Sequence, residues 1–334
     1  MENLLRKKPY SVSFWISCNI ALADNIHIFS LLPVSMKLVR TGLLSLALSG
    51  SALFFFGCGS DPAKTDSLQD TTAVDSTAQV LEAVDALFSQ LPRPSAIPNL
   101  IALTGAEYQD KLVNSASNAE KVLSNSSKAS FGIGILCADV AYQVAYDKSQ
   151  DALKTFVVGK KLADKVGVSS AFEPSIISRL ENNIGQKDSL IEISDASLAN
   201  SSGILKSNDQ VKDAALLTAG AFVEGLYLTC GLIHDYPPTG LSPDDQNKIL
   251  VPLVSTVVKQ EAALGSLIQL LKQVDQSDEA VKTVQAGLEE AQAIYTKAGW
   301  SKKIAENKGN LILTEKDIHE LAVSIARLRN SMVQ

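Results

Sequence analysis

Two segments of the chain repeat one arrangement, an acidic residue followed three positions later by a tyrosine. The first segment reads ADVAY and contains Asp139 and Tyr142, and the second reads VEGLY and contains Glu224 and Tyr227. Because a helix advances about 100° per residue, each acid and its tyrosine would share one stripe of a helix, which His234 extends in the second segment. Carboxyl and phenol groups on such stripes can pair, hold a proton or bind a ligand.

These two segments are predicted to pack against each other at the centre of the fold. Both are otherwise mainly apolar and contain glycine and alanine, which allow two helix backbones to approach closely. A carboxylate buried at such a contact must be paired, hydrogen-bonded or protonated. Arg179, which shares the segment SIISRLENN with Glu181 and Asn183, is the predicted partner of the two acids.

Three interpretations of this polar group are open from the sequence. In the leading one, Asp139, Glu224 and Arg179 form a structural network, helped by the tyrosine hydroxyls, that fixes the register of the helices. In the second, the same groups line a small polar pocket for a ligand or a metal ion. In the third, they simply reach solvent.

The cysteines and histidines give little support for a metal or nucleophilic site. Cys230 and His234 are four residues apart, a spacing that suits two metal ligands on one helix, but no second such pair occurs and His319 is the only other histidine after the leader. No metal and no cofactor are therefore predicted. Cys137 and Cys230 are expected to be two buried thiols, with a disulfide between them as the alternative. No residues are seen that would activate a cysteine as a nucleophile.

Familiar catalytic signatures are missing from the sequence. The segment FGIGIL lacks the third glycine and the preceding strand of a dinucleotide fingerprint, and VVGKKLAD lacks the upstream glycine and the Ser or Thr of a phosphate loop. Neither G-x-S-x-G nor H-E-x-x-H occurs. No catalytic residue is predicted, and a binding role is expected rather than an enzymatic one.

The elements that position these residues are predicted to be helices throughout. Apolar residues recur at helical spacing, proline and glycine punctuate the pattern, and no alternating run is long enough for a sheet. Predicted helices run from about Val80 to Leu91, Ile101 to Leu123, Phe131 to Tyr146, Asp151 to Val166 with Gly167 as C-cap, Ser175 to Ile184, Asp188 to Leu205, Lys212 to Ile233, Ser242 to Val274 with a kink near Pro252, Ser277 to Ala298, and from Thr314 onward. We expect an all-α domain, a single bundle of about eight to ten helices.

The residues ahead of the helical domain have the composition of an export signal. Met36–Arg40 is short and basic, and Thr41–Phe56 is an uncharged run shorter than the roughly 20 residues of a spanning helix. The following Gly57 and Cys58 complete a segment, LFFFGCGS, that is similar to the lipobox of bacterial lipoproteins, although it has phenylalanine in place of leucine and of a small residue. The similarity implies cleavage between Gly57 and Cys58 and lipidation of the Cys58 thiol. A plain signal peptide and a short membrane anchor are the alternatives.

Four parts of the chain follow from this interpretation. Residues 1–35 are either a start codon placed too early or an extended leader, 36–57 the lipoprotein signal peptide, 58–77 a flexible tether rich in Ser, Thr and Asp, and 78–334 the helical domain. Removing residues 1–57 takes away five basic and two acidic residues, which leaves 25 Lys and Arg against 34 Asp and Glu, a net charge of −9. This acidic balance argues against nucleic acid as a partner.

Three segments together resemble a family of helical lipoproteins from Bacteroidota-type bacteria. They are Phe131–Val168, Arg179–Leu190 and Leu216–Leu232. The positions that match the motifs of that family are Asp139, Tyr142, Arg179, Glu181, Asn183, Glu224, Gly225 and Tyr227, whereas Leu136, Ala221 and Phe222 depart from them. The resemblance implies an envelope location and selects the same polar positions, but it implies nothing about a reaction.

Together these features predict a lipid-anchored, non-enzymatic binding or scaffold protein of a bacterial envelope, expected on the outer membrane and facing the periplasm. Its expected partners are the membrane, through the N-terminal lipid, and an envelope protein or small molecule. The alternative is a small-ligand or metal-binding protein, or even an enzyme, that uses the layer of Asp139, Glu224 and Arg179.

Overall fold

The computed structural model describes residues 84–172, 174–235, 242–306 and 315–333. The leader, the signal peptide with Gly57 and Cys58, and the tether lie outside the described residues and stay predictions. The described residues belong to one compact unit, are 82% helical and contain no strand. The predicted all-α fold is confirmed.

The helices follow one another with short connections. In chain order they are a short helical segment over 84–89, α1 (Ala96–Leu103), α2 (Ala116–Val122), α3 (Ser126–Ala145), α4 (Ser149–Val166), α5 (Pro174–Asn182), α6 (Lys187–Ser207), α7 (Val211–His234), α8 (Pro243–Val258), α9 (Glu261–Leu271), α10 (Glu279–Ala298), α11 (Trp300–Glu306) and α12 (Glu315–Val333), with single 3₁₀ turns at Asp110–Leu112 and Ser169–Phe172.

Helices α3 and α7 form the centre of the fold and pack against each other along much of their length. Both are apolar on all sides, as expected of helices surrounded by others. They approach closely because glycines stand at the contact: a Cβ atom at Gly134 would overlap the carbonyl oxygen of Leu217, and one at Gly220 would overlap that of Phe131. The predicted central packing of these two helices is therefore present.

Two groups of buried apolar side chains lie on either side of this central pair. The larger group joins α3 and α7 to α8, α9, α10 and α12. The smaller joins the other faces of α3 and α7 to α4, α5 and α6. Since both groups share the same two helices, α3 and α7 connect the two halves of the core.

Helix α7 is long and apolar enough to cross a membrane by length and composition, the one such helix in the described part of the chain. However, 83% of its most apolar stretch is buried inside the protein, and Glu224 lies fully buried near its middle. Its hydrophobic surface is covered by neighbouring helices, as predicted for a central helix of the bundle.

Two predicted helix ends are confirmed by their backbone geometry. Ser242 caps α8, with its hydroxyl oxygen accepting a hydrogen bond from the backbone N–H of Asp245. Gly167 ends α4 in the left-handed conformation, at φ +86°, where a glycine carries no steric penalty.

Two predicted helices are broken in the structure. The helix predicted from Ile101 to Leu123 is replaced by α1, a non-helical segment that contains one 3₁₀ turn, and α2. The break follows from Gly105, whose φ of +81° reverses the chain after α1. The helix predicted from Ser242 to Val274 is interrupted between α8 and α9, at Lys259 and Gln260, and Pro252 lies inside α8.

The predicted cap of α10 is displaced by one residue, from Ser277 to Asp278. The Asp278 carboxylate accepts hydrogen bonds from the backbone N–H groups of Ala280 and Val281. It also accepts one from the Ser127 hydroxyl of α3, at 2.7 Å, and one from the Lys212 ammonium of α7, at 2.9 Å. Burial raises the pKa of Asp278, but these donors together lower it to about 2. A single carboxylate thus ties three helices together.

Candidate functional site

A buried ion pair between Glu224 and Arg329 lies at the centre of the molecule. The Nε atom of Arg329 donates to Oε2 of Glu224 at 2.6 Å, and Nη2 donates to Oε1 at 2.9 Å. Glu224 is fully buried and Arg329 is 6% exposed. The guanidinium also lies over the ring of Tyr227, 4.2 Å from its centroid. The two-pronged contact holds α12 against α7 with a fixed orientation.

Asp139 of α3 is the second buried carboxyl group of this site. Its Oδ2 accepts a hydrogen bond from the backbone N–H of Asn114 at 3.0 Å, whereas Oδ1 has no protein donor. Burial, and next the nearby charge of Glu224, raise the pKa of Asp139 well above its ordinary value, although Arg329 and the Asn114 N–H act in the other direction. Asp139 also lies near Glu224, and the charge of Glu224 favours the protonated form of Asp139.

The resulting site consists of two buried carboxyl groups and one guanidinium, and the raised pKa of Asp139 favours its neutral form. We refer to Asp139, Glu224 and Arg329 as the central charge cluster. Asp139 and Glu224 have no exposed surface, and Arg329 has almost none. A substrate therefore has no route to the carboxyl groups in this conformation. Such a cluster fixes the register of three helices, and it does not present an acid or a base to solvent.

Several residues predicted for this layer lie elsewhere. Arg179 and Glu181 are exposed on α5, and Asn183, just beyond that helix, is half-buried and donates to the backbone oxygen of Arg179. His234 is exposed at the end of α7. The prediction that Arg179 partners the acids was wrong, because the apolar neighbours that suggested its burial, Ile176 and Ile177, are only partly buried.

Arg329 was missed although the sequence contains a signal for it. The apolar face of α12 includes Ile325, Leu328 and Met332, all buried. Arg329 falls within this face at helical spacing, since it is four residues after Ile325 and three before Met332. An arginine on the buried face of a helix requires a buried acid as its partner. Glu224 and Asp139 were the candidates.

Three tyrosines pack together beside the central charge cluster. Tyr142 is fully buried, and its ring centroid lies 5.1 Å from that of Tyr108 and 5.0 Å from that of Tyr146. The Tyr142 hydroxyl oxygen accepts a hydrogen bond from the backbone N–H of Gln109 at 2.8 Å. Burial raises the pKa of Tyr142, and it raises that of Tyr146 to about 12. The phenols are therefore neutral packing groups that hold the segment between α1 and α2 against α3.

The cysteines provide neither a nucleophile nor a metal site. Cys137 and Cys230 are free, buried thiols, and burial raises the pKa of each to about 12, so neither forms a reactive thiolate at neutral pH. Cys230 is buried whereas His234 is exposed, so their four-residue spacing does not create a pair of ligands. Within the described ranges no three His, Cys, Asp or Glu side chains are grouped as metal ligands.

A cleft of about 880 Å³ lies on the surface of the described residues beside α6. One wall consists of the 84–89 segment and the turn that follows it, with Phe88 and Leu91 facing the cleft, and the other is α6, with Ile191 and Leu198. We call this the α6 cleft. Its volume lies in the range of ligand-binding pockets, about 300–1,000 Å³.

Charged side chains line the rim of the α6 cleft. At one end Lys206 of α6 forms an ion pair with Asp85, at 2.6 Å, and lies over the ring of Phe88. In the middle Asp195 accepts hydrogen bonds from the backbone N–H and the hydroxyl of Ser95, the latter at 2.6 Å. These contacts hold the two walls together and shape the cleft without bound ligand. No sequence pattern indicates this surface, because its walls come from segments about 100 residues apart.

Comparison of the chain with models of known protein families, with curated proteins and with solved structures found no match.

Proposed function

We propose that this protein is a lipid-anchored binding protein of a bacterial cell envelope, and that its helical domain acts without catalytic chemistry. One observation carries the proposal. The core encloses the groups that could most readily take part in a reaction, which are the central charge cluster and the two thiols. The α6 cleft, in contrast, is open and is lined by apolar and charged groups. Such a cleft suits recognition by contact and charge.

The anchor part of the proposal rests on the sequence ahead of the domain. A basic head, a short apolar run and the Gly57–Cys58 junction match an export signal with a lipidated cysteine. Two or three acyl chains on one residue give stable membrane attachment, since each buried methylene contributes about 0.8 kcal/mol. The resemblance to helical lipoproteins of Bacteroidota-type bacteria agrees with this location.

Labelling with radioactive palmitate in a bacterial host tests the anchor. We expect label in the wild-type chain and none in a Cys58→Ser variant, and mass spectrometry should find a mature chain that begins at Cys58. Cys137→Ser is the matched control, because this buried thiol is not a lipidation site and its variant should keep the label. Equal labelling of wild type and Cys58→Ser would refute the anchor, as would a mature chain that retains residues 36–57.

A further inference from the structure

We propose that the α6 cleft holds an amphipathic helical segment of another protein, and that this segment carries lysine or arginine at the end that faces Asp188 and Glu192. The inference rests on the proposed binding function and specifies the chemistry of the partner. It is carried by the length of the cleft, by the small side chains in its middle and by its unbalanced charge.

The length of the cleft favours a segment of polypeptide over a small molecule. Its lining along α6 extends from Asp188 to Lys206, and at 1.5 Å per residue this is about 27 Å. A compact ligand would fill only part of this distance. A helix of about 18 residues has the same length and can place an apolar face between Phe88 and Ile191.

The middle of α6 allows close approach of a second helix. Ala196, Ala199 and Gly203 are exposed at helical spacing, and a Cβ atom added at Gly203 would meet no other atom within 4 Å. A second concave surface, of about 420 Å³, shares Ala199 and Gly203 on the other side of this stripe. The outward face of α6 is thus open on both sides. Because the distance between two helix axes depends on the side chains at their contact, these small residues would let a docked helix lie close to α6.

The charges of the α6 cleft favour a basic group at the end formed by Asp188 and Glu192. Asp188 and Glu192 form no ion pair within the described residues, and two like charges four apart on a helix repel each other. At the other end, the Lys206–Asp85 pair is closed and contributes no net charge. Among the lining residues that the structure describes, Arg93 is the single cation outside that pair, and carboxylates there exceed cations by two. A cationic side chain at the Asp188 end would relieve the repulsion.

Binding of designed peptides to the full chain in detergent tests the proposal. The probe is a fluorescent 18-residue helical peptide with a leucine and alanine face and two lysines at one end, and the comparison is the same peptide with glutamates in place of the lysines. Fluorescence anisotropy should show at least tenfold tighter binding of the lysine peptide, and this preference should decrease as salt is added.

Three variants distinguish the cleft from the rest of the surface. Asp188→Asn with Glu192→Gln should weaken binding of the lysine peptide about fivefold, since it removes two exposed ion pairs, each of which contributes modestly. Arg93→Gln should strengthen binding of the lysine peptide. A variant that failed to fold could not bind the peptide more tightly, so this result would not be confused with unfolding. Gly203→Leu should abolish binding by filling the cleft. Glu181→Gln, which removes an exposed carboxylate on α5, is the control and should leave binding unchanged.

Several results would overturn the proposal. Equal binding of the two peptides would remove the charge preference, and retained binding by Gly203→Leu would place the peptide elsewhere. A dimer in sedimentation that Gly203→Leu separates into monomers would assign the cleft to a second copy of this chain. Peptide binding that appears only after proteolytic removal of residues ahead of Val84 would assign it to the N-terminal segment of the chain itself. None of these results changes palmitate labelling at Cys58. The proposed lipid anchor and the proposed partner of the α6 cleft can therefore be refuted independently.

Discussion

At the scale of single residues, charge is decisive in the core, because three ionisable groups with almost no exposed surface meet there. The two-pronged contact between Arg329 and Glu224 neutralises a carboxylate that has no exposed surface. Removing one partner of such a pair leaves an unpaired buried charge, which is far more costly than the pair is stabilising. The stability of the fold should therefore depend more on the balance of the two charges than on the presence of either.

A double-mutant cycle measures this balance. Arg329→Met should lower the free energy of unfolding by about 3–5 kcal/mol, and combining it with Glu224→Gln should recover a large part of the loss, because the buried charge disappears. Urea denaturation followed by circular dichroism gives both values. Arg327→Met is the control on the same helix, since the pair of Arg327 with Glu290 is exposed and should contribute less than about 1 kcal/mol. Additive losses in the double variant would contradict the expectation.

The raised pKa of Asp139 should make the stability of the fold depend on pH. A carboxyl group with a raised pKa in the folded state binds its proton more tightly there than in the unfolded chain. Its stabilising contribution is complete below the ordinary pKa of 3.8 and is lost as the pH rises through the folded-state value. Glu224 and Arg329 are the charged groups that face it from α7 and α12.

Replacing Asp139 with asparagine should remove this dependence. The asparagine side chain can still accept from the Asn114 N–H, and like the protonated acid it carries no charge, at every pH. Relative to wild type, Asp139→Asn should become more stable as the pH rises above about 4, by at most about 1.4 kcal/mol per pH unit. Urea denaturation from pH 4 to pH 8 measures the difference. Parallel curves for the two proteins would show that Asp139 carries no proton.

At the scale of helices, the contact between α3 and α7 depends on two glycines more than on any large side chain. Gly134 lies against the backbone of α7, and Gly220 lies against the backbone of α3. Backbone atoms cannot rotate away from an added methyl group, so the two helices would have to separate. The loss would affect both groups of buried side chains, because each includes residues of both helices.

Substituting alanine at Gly134 should therefore lower the free energy of unfolding by about 3 kcal/mol or more, as expected for an overpacked core. Gly265→Ala is the matched control in α9. There a Cβ atom would meet only the Gln292 side chain at an ordinary 3.8 Å, and alanine should add about 0.5–1 kcal/mol of helix stability. Thermal or urea unfolding compares the two variants. Equal stability in both would show that α3 and α7 do not touch at Gly134.

Helix identity was predictable from the sequence, and helix ends only in part. Apolar residues at helical spacing gave α3, α4, α6 and α7, because these helices bury long faces. The segment after α1 was predicted to be helical because Ile101–Leu123 carries a weak helical pattern. Thr104 and Gly105 end the helix there, since the Thr104 hydroxyl donates a hydrogen bond to the carbonyl oxygen of Ile101 and Gly105 takes a positive φ. The prediction followed the spacing of the apolar residues and therefore missed the helix end at these two residues.

At the scale of the whole molecule, the sequence revealed which carboxyl groups are buried but not which cation meets them. Asp139 and Glu224 stand in long apolar stretches, so their burial follows from composition alone. Their partner is 105 residues further along the chain from Glu224, and no local pattern encodes a contact at that distance. The walls of the α6 cleft come together in the same way, through Ser95 and Asp195, which are 100 residues apart.

The late position of Arg329 has a consequence for how the protein is made. A polypeptide that emerges from a ribosome or an export channel N-terminus first displays Glu224 well before the guanidinium that neutralises it. Until α12 arrives, the nascent bundle contains an acid without its cation, and the larger group of buried side chains, to which α12 contributes, stays incomplete. The contact between α7 and α12 at Glu224 and Arg329 therefore forms late in synthesis, after most of the other described helices have left the ribosome.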